Sequence, residues 1–355
     1  MESFSTPITK LFGIKHPIVL AGMNAVAHAK LVAAVSNAGG LGVIGGLTFT
    51  PKMLRKQIAE VKEYLHDKRN PKFGVDLAIP QLGGSARKTN YDYTHGHLDE
   101  LIDIIVEEGA SLFVCAVGVP PKRVIDKLHR AGIPVMNMVG APKHVDKALD
   151  AGVDIICAQG TEGGGHTGAI ASSVLIPICV DKCSRRRSPL TGETVQVIAA
   201  GGIFDGRGLA AALSWGASAV WVGTRFIAAE EAAAPPRHQN AVLKAKAHET
   251  TTTLIYSGRP LRVYETPYVK DWNSRAEEVK RLCAKGILPF KNHMDETKKK
   301  NPDKLGELFI KGFPFLMGQG AAGVHDIRTA KEIVEGMVSQ AVEITRRNSS
   351  SISRL

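Results

Sequence analysis

No apolar run in this chain is long enough to cross a bilayer, and residues 1–13 have neither the apolar centre of a secretory signal nor an arginine-rich amphipathic face. Neither an anchor nor an export leader is expected. Aromatic residues make up only 6% of the chain, and none is interleaved with its basic clusters, at Lys182 with Arg185 to Arg187, at Lys298 to Lys300, and at Arg346 with Arg347. Stacking on nucleic-acid bases is therefore not provided for. The excess of Lys and Arg over Asp and Glu, a formal charge of +11, reads as a bias toward anionic ligands or surfaces. Cysteine is scarce as well: there are five, an odd number, with no Cys-x-x-Cys pair, and Cys115 and Cys157 sit inside apolar strand-like runs. A disulfide framework is excluded, no metal site is expected, and the thiols read as reduced core groups of an intracellular protein.

What the chain does have is length and a repeating pattern. Its 355 residues, 44% hydrophobic, can bury a full core. Eight short apolar runs recur through the first two thirds, each too short for a helix: 17–21, 41–44, 73–79, 111–117, 134–139, 154–158, 195–200 and 219–222. Amphipathic stretches lie between them, as at 98–108, where Leu98, Leu101, Ile102 and Ile105 share a face. A glycine precedes the next run at Gly39-Gly40, Gly109, Gly132, Gly152 and Gly216, where a left-handed helix end requires one. Strands buried on both faces and alternating with helices eight times predict an α/β fold, a (β/α)8 TIM barrel over residues 1–226. A doubly wound open sheet is the alternative, but nothing marks the reversal of its strand order. Residues 227–320 read as a mostly helical insertion at the barrel mouth, with helices at 228–234 and 240–251. Residues 321–355 supply a closing helix, 327–346, and a tail.

In such a barrel the loops after the strands carry function, and a phosphate is commonly held after the seventh and eighth. Here those loops are Gly201-Gly202 and Gly223-Thr224-Arg225, and the helix opening at Asp205-Gly206-Arg207 is expected to aim its N-terminus at the same anion. The sixth strand leads into Gln159-Gly160-Thr161-Glu162-Gly163-Gly164-Gly165-His166-Thr167-Gly168, whose glycines build no core. They let the backbone approach a cofactor, Gln159 offers an amide to a ring, and His166 is the candidate catalytic base. The first strand ends Ala21-Gly22-Met23, small residues against which a flat ring could lie. Asp76 interrupts the third run, and Tyr91, Tyr93, His95 and His97 follow it as candidate pocket residues.

These motifs resemble those of the nitronate monooxygenases, also called 2-nitropropane dioxygenases, and of the related FMN-dependent enoyl-acyl-carrier-protein reductases. The resemblance covers nearly the whole chain. It is carried by residues 17–23, by Ala38-Gly39-Gly40-Leu41-Gly42, by Gln159 with the Gly163 to His166 run, by Ala200 to Ile203 with Asp205 to Gly208, by Gly223 to Phe226, and by Gly318-Gln319 with Ala322-Gly323. It implies non-covalent FMN, with its phosphate near Gly201, Gly202, Gly223 and Thr224 and its ring near Ala21, Gly22, Met23 and Gln159, helped by Gly164 and Gly165. It implies that His166 removes the acidic proton beside the nitro group of a nitroalkane, after which oxygen completes oxidation to a carbonyl compound and nitrite. The chain departs from the family in Gly22, where Pro is frequent, in Asp76, where many members have Asn, and in Met317, where bacterial members often carry Tyr.

Two alternatives stand beside this reading. One is an NAD(P)H-dependent enoyl-thioester reductase on the same scaffold, although no separate dinucleotide fingerprint is present. The other is a flavin-binding protein without the chemistry. A small-molecule substrate is expected and a homo-oligomer is possible. The terminal Ser353-Arg354-Leu355 resembles the Ser-Lys-Leu peroxisomal address, so the expected location is cytoplasmic or peroxisomal.

Overall fold

Each of the eight apolar runs forms a parallel strand in the computed structural model, which describes residues 2–352. The strands are β1 (Ile18–Leu20), β2 (Gly42–Gly45), β3 (Phe73–Ala78), β4 (Leu112–Ala116), β5 (Val135–Val139), β6 (Ile155–Gln159), β8 (Gln196–Ala200) and β9 (Ala219–Val222). Between β6 and β8 lies the two-residue strand β7 (Gly165–His166), outside the barrel. The hydrogen-bonded order is β1, β9, β8, β6, β5, β4, β3, β2. Val19 bridges Leu41 in parallel, and the Leu20 N–H donates to the Leu41 carbonyl at 2.9 Å, which closes the ring between β1 and the entry to β2. The fold is the expected (β/α)8 barrel. An open doubly wound sheet would have kept two edge strands and a reversal of strand order, and the observed order has neither.

Alternation along the strands explains why the runs are apolar without a polar face. Val19, Val43, Leu112, Val114, Met136, Ile155, Ile198 and Trp221 fill the interior, and Ile8 and Phe12 of the N-terminal helix Pro7–Phe12 pack into the same cluster. Residues of the other parity, such as Ile18, Ile44, Phe73, Phe113 and Val135, meet the surrounding helices in a second cluster. The glycine junctions behave as expected: Gly152 ends the helix Val145–Ala151 at φ 101°, and Gly39, Gly109, Gly132 and Gly216 also have positive φ. The helix Ala330–Ser350 returns against the helix Gly206–Ser214, where a Cβ on Gly206 would lie 2.5 Å from the Met337 carbonyl oxygen.

The segment after β9 departs from the expected helices. Residues 228–234 form turns and irregular chain, not a helix, although alanine favours one; Pro235 keeps Ala234 out of the helical region. Tertiary pairing takes over instead, with the Glu230 N–H donating to the Arg328 carbonyl and the Ala233 N–H to the Val26 carbonyl. The helix expected at 240–251 runs Pro236–Lys244, and the four threonines that follow form the strand β10 (Thr250–Thr253), as β-branched residues prefer. With β11 (Leu261–Tyr264) and β7 it makes a three-stranded antiparallel sheet that the sequence reading missed. Helices then dominate: Pro267–Ser274, Ala276–Ala284, Pro289–Lys300 and Leu305–Lys311. The closing helix starts three residues later than expected, at Ala330 after the Thr329 cap, which leaves Ile327 exposed outside it. Among the described residues no helix is long and apolar enough to cross a membrane. Ser353-Arg354-Leu355 lies outside the described residues.

Candidate active site

At the C-terminal ends of the strands the barrel opens into a cavity of about 1880 Å³. That exceeds the roughly 300–1,000 Å³ of an ordinary ligand pocket and leaves room for a cofactor beside a substrate. The residues expected to hold a cofactor or act as base line it: Ala21, Gly22, Met23, Gln159, Gly164, Gly165, His166, Gly201, Gly202, Gly223 and Thr224. Tyr91 and Tyr93 line it too, their ring centroids 4.1 Å apart, whereas His95 and His97 are exposed outside it.

His166 is held by the small sheet. It pairs with Leu261 of β11, and its carbonyl accepts a 2.6 Å hydrogen bond from Gln159 Nε2, so part of that amide serves the loop itself. Its Nε2 lies 2.9 Å from Ser257 Oγ, and Ser257 Oγ in turn donates to the Arg259 carbonyl at 3.5 Å. Burial, helped by the guanidiniums of Arg259 and Arg87, pushes the imidazole down to about 4, so it is neutral at neutral pH. Arg259 donates to Asn90 Oδ1 and Arg87 to the Gly258 carbonyl; neither forms an ion pair among the described residues. Buried Arg262 pins the base of the loop, donating from Nε to the Thr161 carbonyl at 2.9 Å and from Nη1 to the Thr250 carbonyl at 3.2 Å.

Gly163 and Gly164 are required by close approach, and Gly165 by its φ of 72°. A Cβ on Gly164 would lie 2.6 Å from the Met317 carbonyl carbon, and one on Gly163 would lie 2.8 Å from the Gln159 amide. Across the cavity, Gly201 and Gly202 adopt φ 97° and 72°, a conformation that leaves their amides outside the strand ladder. The N–H groups of Gly201, Gly202, Gly223 and Thr224 donate to no acceptor among the described residues. The helix after them is a different matter: Asp205 accepts from Arg207 N–H and Gly208 N–H, and Gln340 accepts from Gly206 N–H. That N-terminus is filled by a carboxylate and does not aim at an anion, which corrects the expectation from the sequence.

Ser257, Arg87, Arg259 and Arg262 were not singled out as site residues. Ser257-Gly258-Arg259-Pro260 reads locally as a turn, and no spacing rule brings it to a histidine 91 residues away.

With this geometry in place, the sequence profile of the family described as nitronate monooxygenase matches residues 5–340. The chain belongs to the nitronate monooxygenase family. It is 37% identical, over 76% of its length and 68% of the relative's, to a Mycobacterium tuberculosis protein named (3aS,4S,5R,7aS)-5-hydroxy-7a-methyl-1-oxo-octahydro-1H-indene-4-carboxyl-CoA dehydrogenase. It is 30% identical to a probable nitronate monooxygenase of Staphylococcus saprophyticus, over 97% of this chain and 99% of that one. Among solved structures, FabK from Thermotoga maritima superposes with a TM-score of 0.75 at 30% identity, covering 98% of this chain and 100% of that one. Membership in the nitronate monooxygenase family makes the chain an oxidoreductase, and the expected family resemblance is borne out.

Proposed function

We propose that the chain holds FMN at the barrel mouth and oxidises alkyl nitronates, and the nitroalkanes from which they form, with oxygen to carbonyl compounds and nitrite. The observation that carries this reading is His166 held in a glycine loop with its Nε2 on Ser257 Oγ, on a cavity also lined by Arg87 and Arg259, which form no ion pair among the described residues. The cavity suits the cofactor. Its four free amides at Gly201, Gly202, Gly223 and Thr224 match a terminal phosphate, and its wall at Ala21, Gly22 and Gly223 is bare enough for a flat ring. When bound, FMN supplies the uptake of electrons from the substrate and their delivery to oxygen.

The protein's own part is proton removal and charge placement. With its hydrogen on Nε2, His166 donates to Ser257 Oγ, whose hydrogen goes to the Arg259 carbonyl. Nδ1 then keeps its lone pair and accepts the proton from the carbon beside the nitro group. The nitronate so formed is an anion, and Arg87 and Arg259 supply the positive field that stabilises it.

The His166→Asn variant is expected to keep FMN but to lose turnover of neutral nitroalkanes about a hundredfold or more, with far less effect on pre-ionised nitronates, because only the former need a base. Equal loss on both would remove the base assignment. A second reading, reduction or oxidation of an acyl thioester, is favoured by the basic lining of Arg87, Arg259, Lys143 and Lys147, suited to an anionic carrier. Anaerobic mixing with a nitronate separates the two. Bleaching of the flavin without NADH or NADPH supports nitronate oxidation, and bleaching only after a nicotinamide is added supports the thioester reading.

A further inference from the structure

The end of β5 carries a group of cations that the proton transfer above leaves idle. Lys143, His144 and Lys147, from the turn after β5 and the helix Val145–Ala151, all line the cavity. Lys143 and Lys147 form no ion pair among the described residues, although the same helix carries two acids. Those acids are engaged elsewhere: Asp146 is held by Lys182 and Asp150 by Arg186, each at 2.7 Å. Among the described residues, the acids on the cavity wall are Glu162 and Asp76. Glu162 accepts from the N–H and hydroxyl of Ser172, at 3.1 and 2.9 Å, where the helix Ser172–Cys183 begins. Burial pushes the Asp76 carboxyl up to about 8. Neither neutralises the lysines.

Donors of a second kind stand at the same place. A Cβ on Gly140 would lie 2.9 Å from the Gly168 nitrogen, so the turn after β5 touches the loop that carries His166. The N–H groups of Gly140, Ala141, Lys143 and Gly168 donate to no acceptor among the described residues. Burial first, and then the charges of Lys143 and Lys147, hold the His144 imidazole below its ordinary value, which places the three side chains within one another's field. A monoanion such as a nitronate, stabilised by Arg87 and Arg259, leaves all of this unused. Two lysines four residues apart beside free amides match a group that spreads several charges over tetrahedral oxygens.

We propose that Lys143 and Lys147, with the amides of the turn after β5, form a subsite for the diphosphate of an organic substrate or co-substrate. The subsite is distinct from the amides of Gly201, Gly202, Gly223 and Thr224, which follow β8 and β9, because β6 stands between β5 and β8. It rests on the second reading above, since an acyl thioester of coenzyme A and the nicotinamide dinucleotide that reduces it both carry a diphosphate. The cavity, at about 1880 Å³, accommodates such a molecule beside a flavin.

The test is calorimetric titration of FMN-loaded protein with pyrophosphate, coenzyme A and NADPH in turn, without any turnover. Pyrophosphate is expected to bind saturably and to weaken as salt is raised. Lys143→Gln and Lys147→Gln are each expected to weaken it about tenfold, and the two together about a hundredfold. Lys10→Gln removes the same charge from the N-terminal helix Pro7–Phe12, outside the cavity, and is expected to leave binding unchanged. Absence of saturable pyrophosphate binding overturns the proposal, as does binding that the two lysine variants leave intact or that Lys10→Gln weakens equally. Lysine-dependent binding of coenzyme A alone assigns the subsite to the thioester, and of NADPH alone to the electron donor; either supports it. Lysine-dependent binding of pyrophosphate with neither nucleotide bound keeps the anion site but removes the thioester reading, an outcome distinct from the failures above.

Discussion

At the scale of single residues, His166 and Ser257 carry the sharpest consequences. Removing the Ser257 hydroxyl leaves the His166 Nε2 without its partner and frees the ring to take either tautomer. Ser257→Ala is expected to lower kcat for neutral nitroalkanes about tenfold while leaving pre-ionised nitronates nearly unchanged. A parallel loss on both substrates would make Ser257 merely structural. The pH dependence follows from the depressed imidazole. In the folded protein His166 stays neutral down to about 4, so the acid limb of kcat/KM for neutral nitroalkanes is expected well below the ordinary 6.5 of histidine. The unfolded chain takes up that proton at higher pH than the folded one, so the stability tied to this histidine is present above 6.5 and is lost as pH falls toward 4. His166→Asn removes that component of acid unfolding, which thermal melts at several pH values would read.

At the scale of elements, the small sheet β10–β11–β7 exists to hold one loop. Glycines cannot stiffen a loop by side-chain packing, so the Gly163 to His166 run takes its rigidity from two backbone pairs to β11 and from Arg262 beneath it. Arg262→Met keeps the volume but leaves the Thr161 and Thr250 carbonyls without their donor, at a cost of roughly 2–4 kcal/mol. The expected result is a lower unfolding midpoint and a greater loss of nitroalkane than of nitronate turnover, since the loop carries the base. An unchanged melting curve would show that the loop is held by β11 alone. This sheet was not legible in the sequence because β7 is two residues long, and strands of that size leave no periodic trace. The run at 228–234 misled for the converse reason. Its alanines carry a real helical preference, and two prolines and the pairing with Arg328 override it.

At the scale of the whole molecule, the chain's last helix completes the barrel wall. Ile333, Val334, Met337 and Val338 are buried in the same cluster as the outer faces of the strands. At about 1.5–3 kcal/mol for each buried apolar side chain, their removal costs on the order of 10 kcal/mol, comparable with the net stability of a domain. A chain ending at Thr329 is therefore expected to be insoluble or to lose its near-ultraviolet circular dichroism, and a well-folded truncated protein would contradict this account. The charge of +11 is a property of the same scale. Its local expression in the cavity is Arg87, Arg259, Lys143 and Lys147, drawn from three separate stretches of chain.

The barrel was legible from the sequence because a strand buried on both faces must be apolar throughout, and because a left-handed helix end must be glycine; both demands are local and leave a mark at a predictable place. The glycine-rich loops were legible for the same reason, and Gln159, Gly164, Gly165, His166, Gly201, Gly202, Gly223 and Thr224 from them lie on one cavity. Only the tertiary structure decided what those residues meet. It brought Ser257 to His166 and Arg87 to the turn at Gly258, pairs separated by 91 and 171 residues. It filled the N-terminus of the helix at Gly206 with Asp205, and it left the Oδ1 of buried Asp76 without a hydrogen-bond partner among the described residues. Protonation state and hydrogen-bond partnership depend on the groups within a few ångströms of an atom, and the order of residues along a chain does not contain that distance.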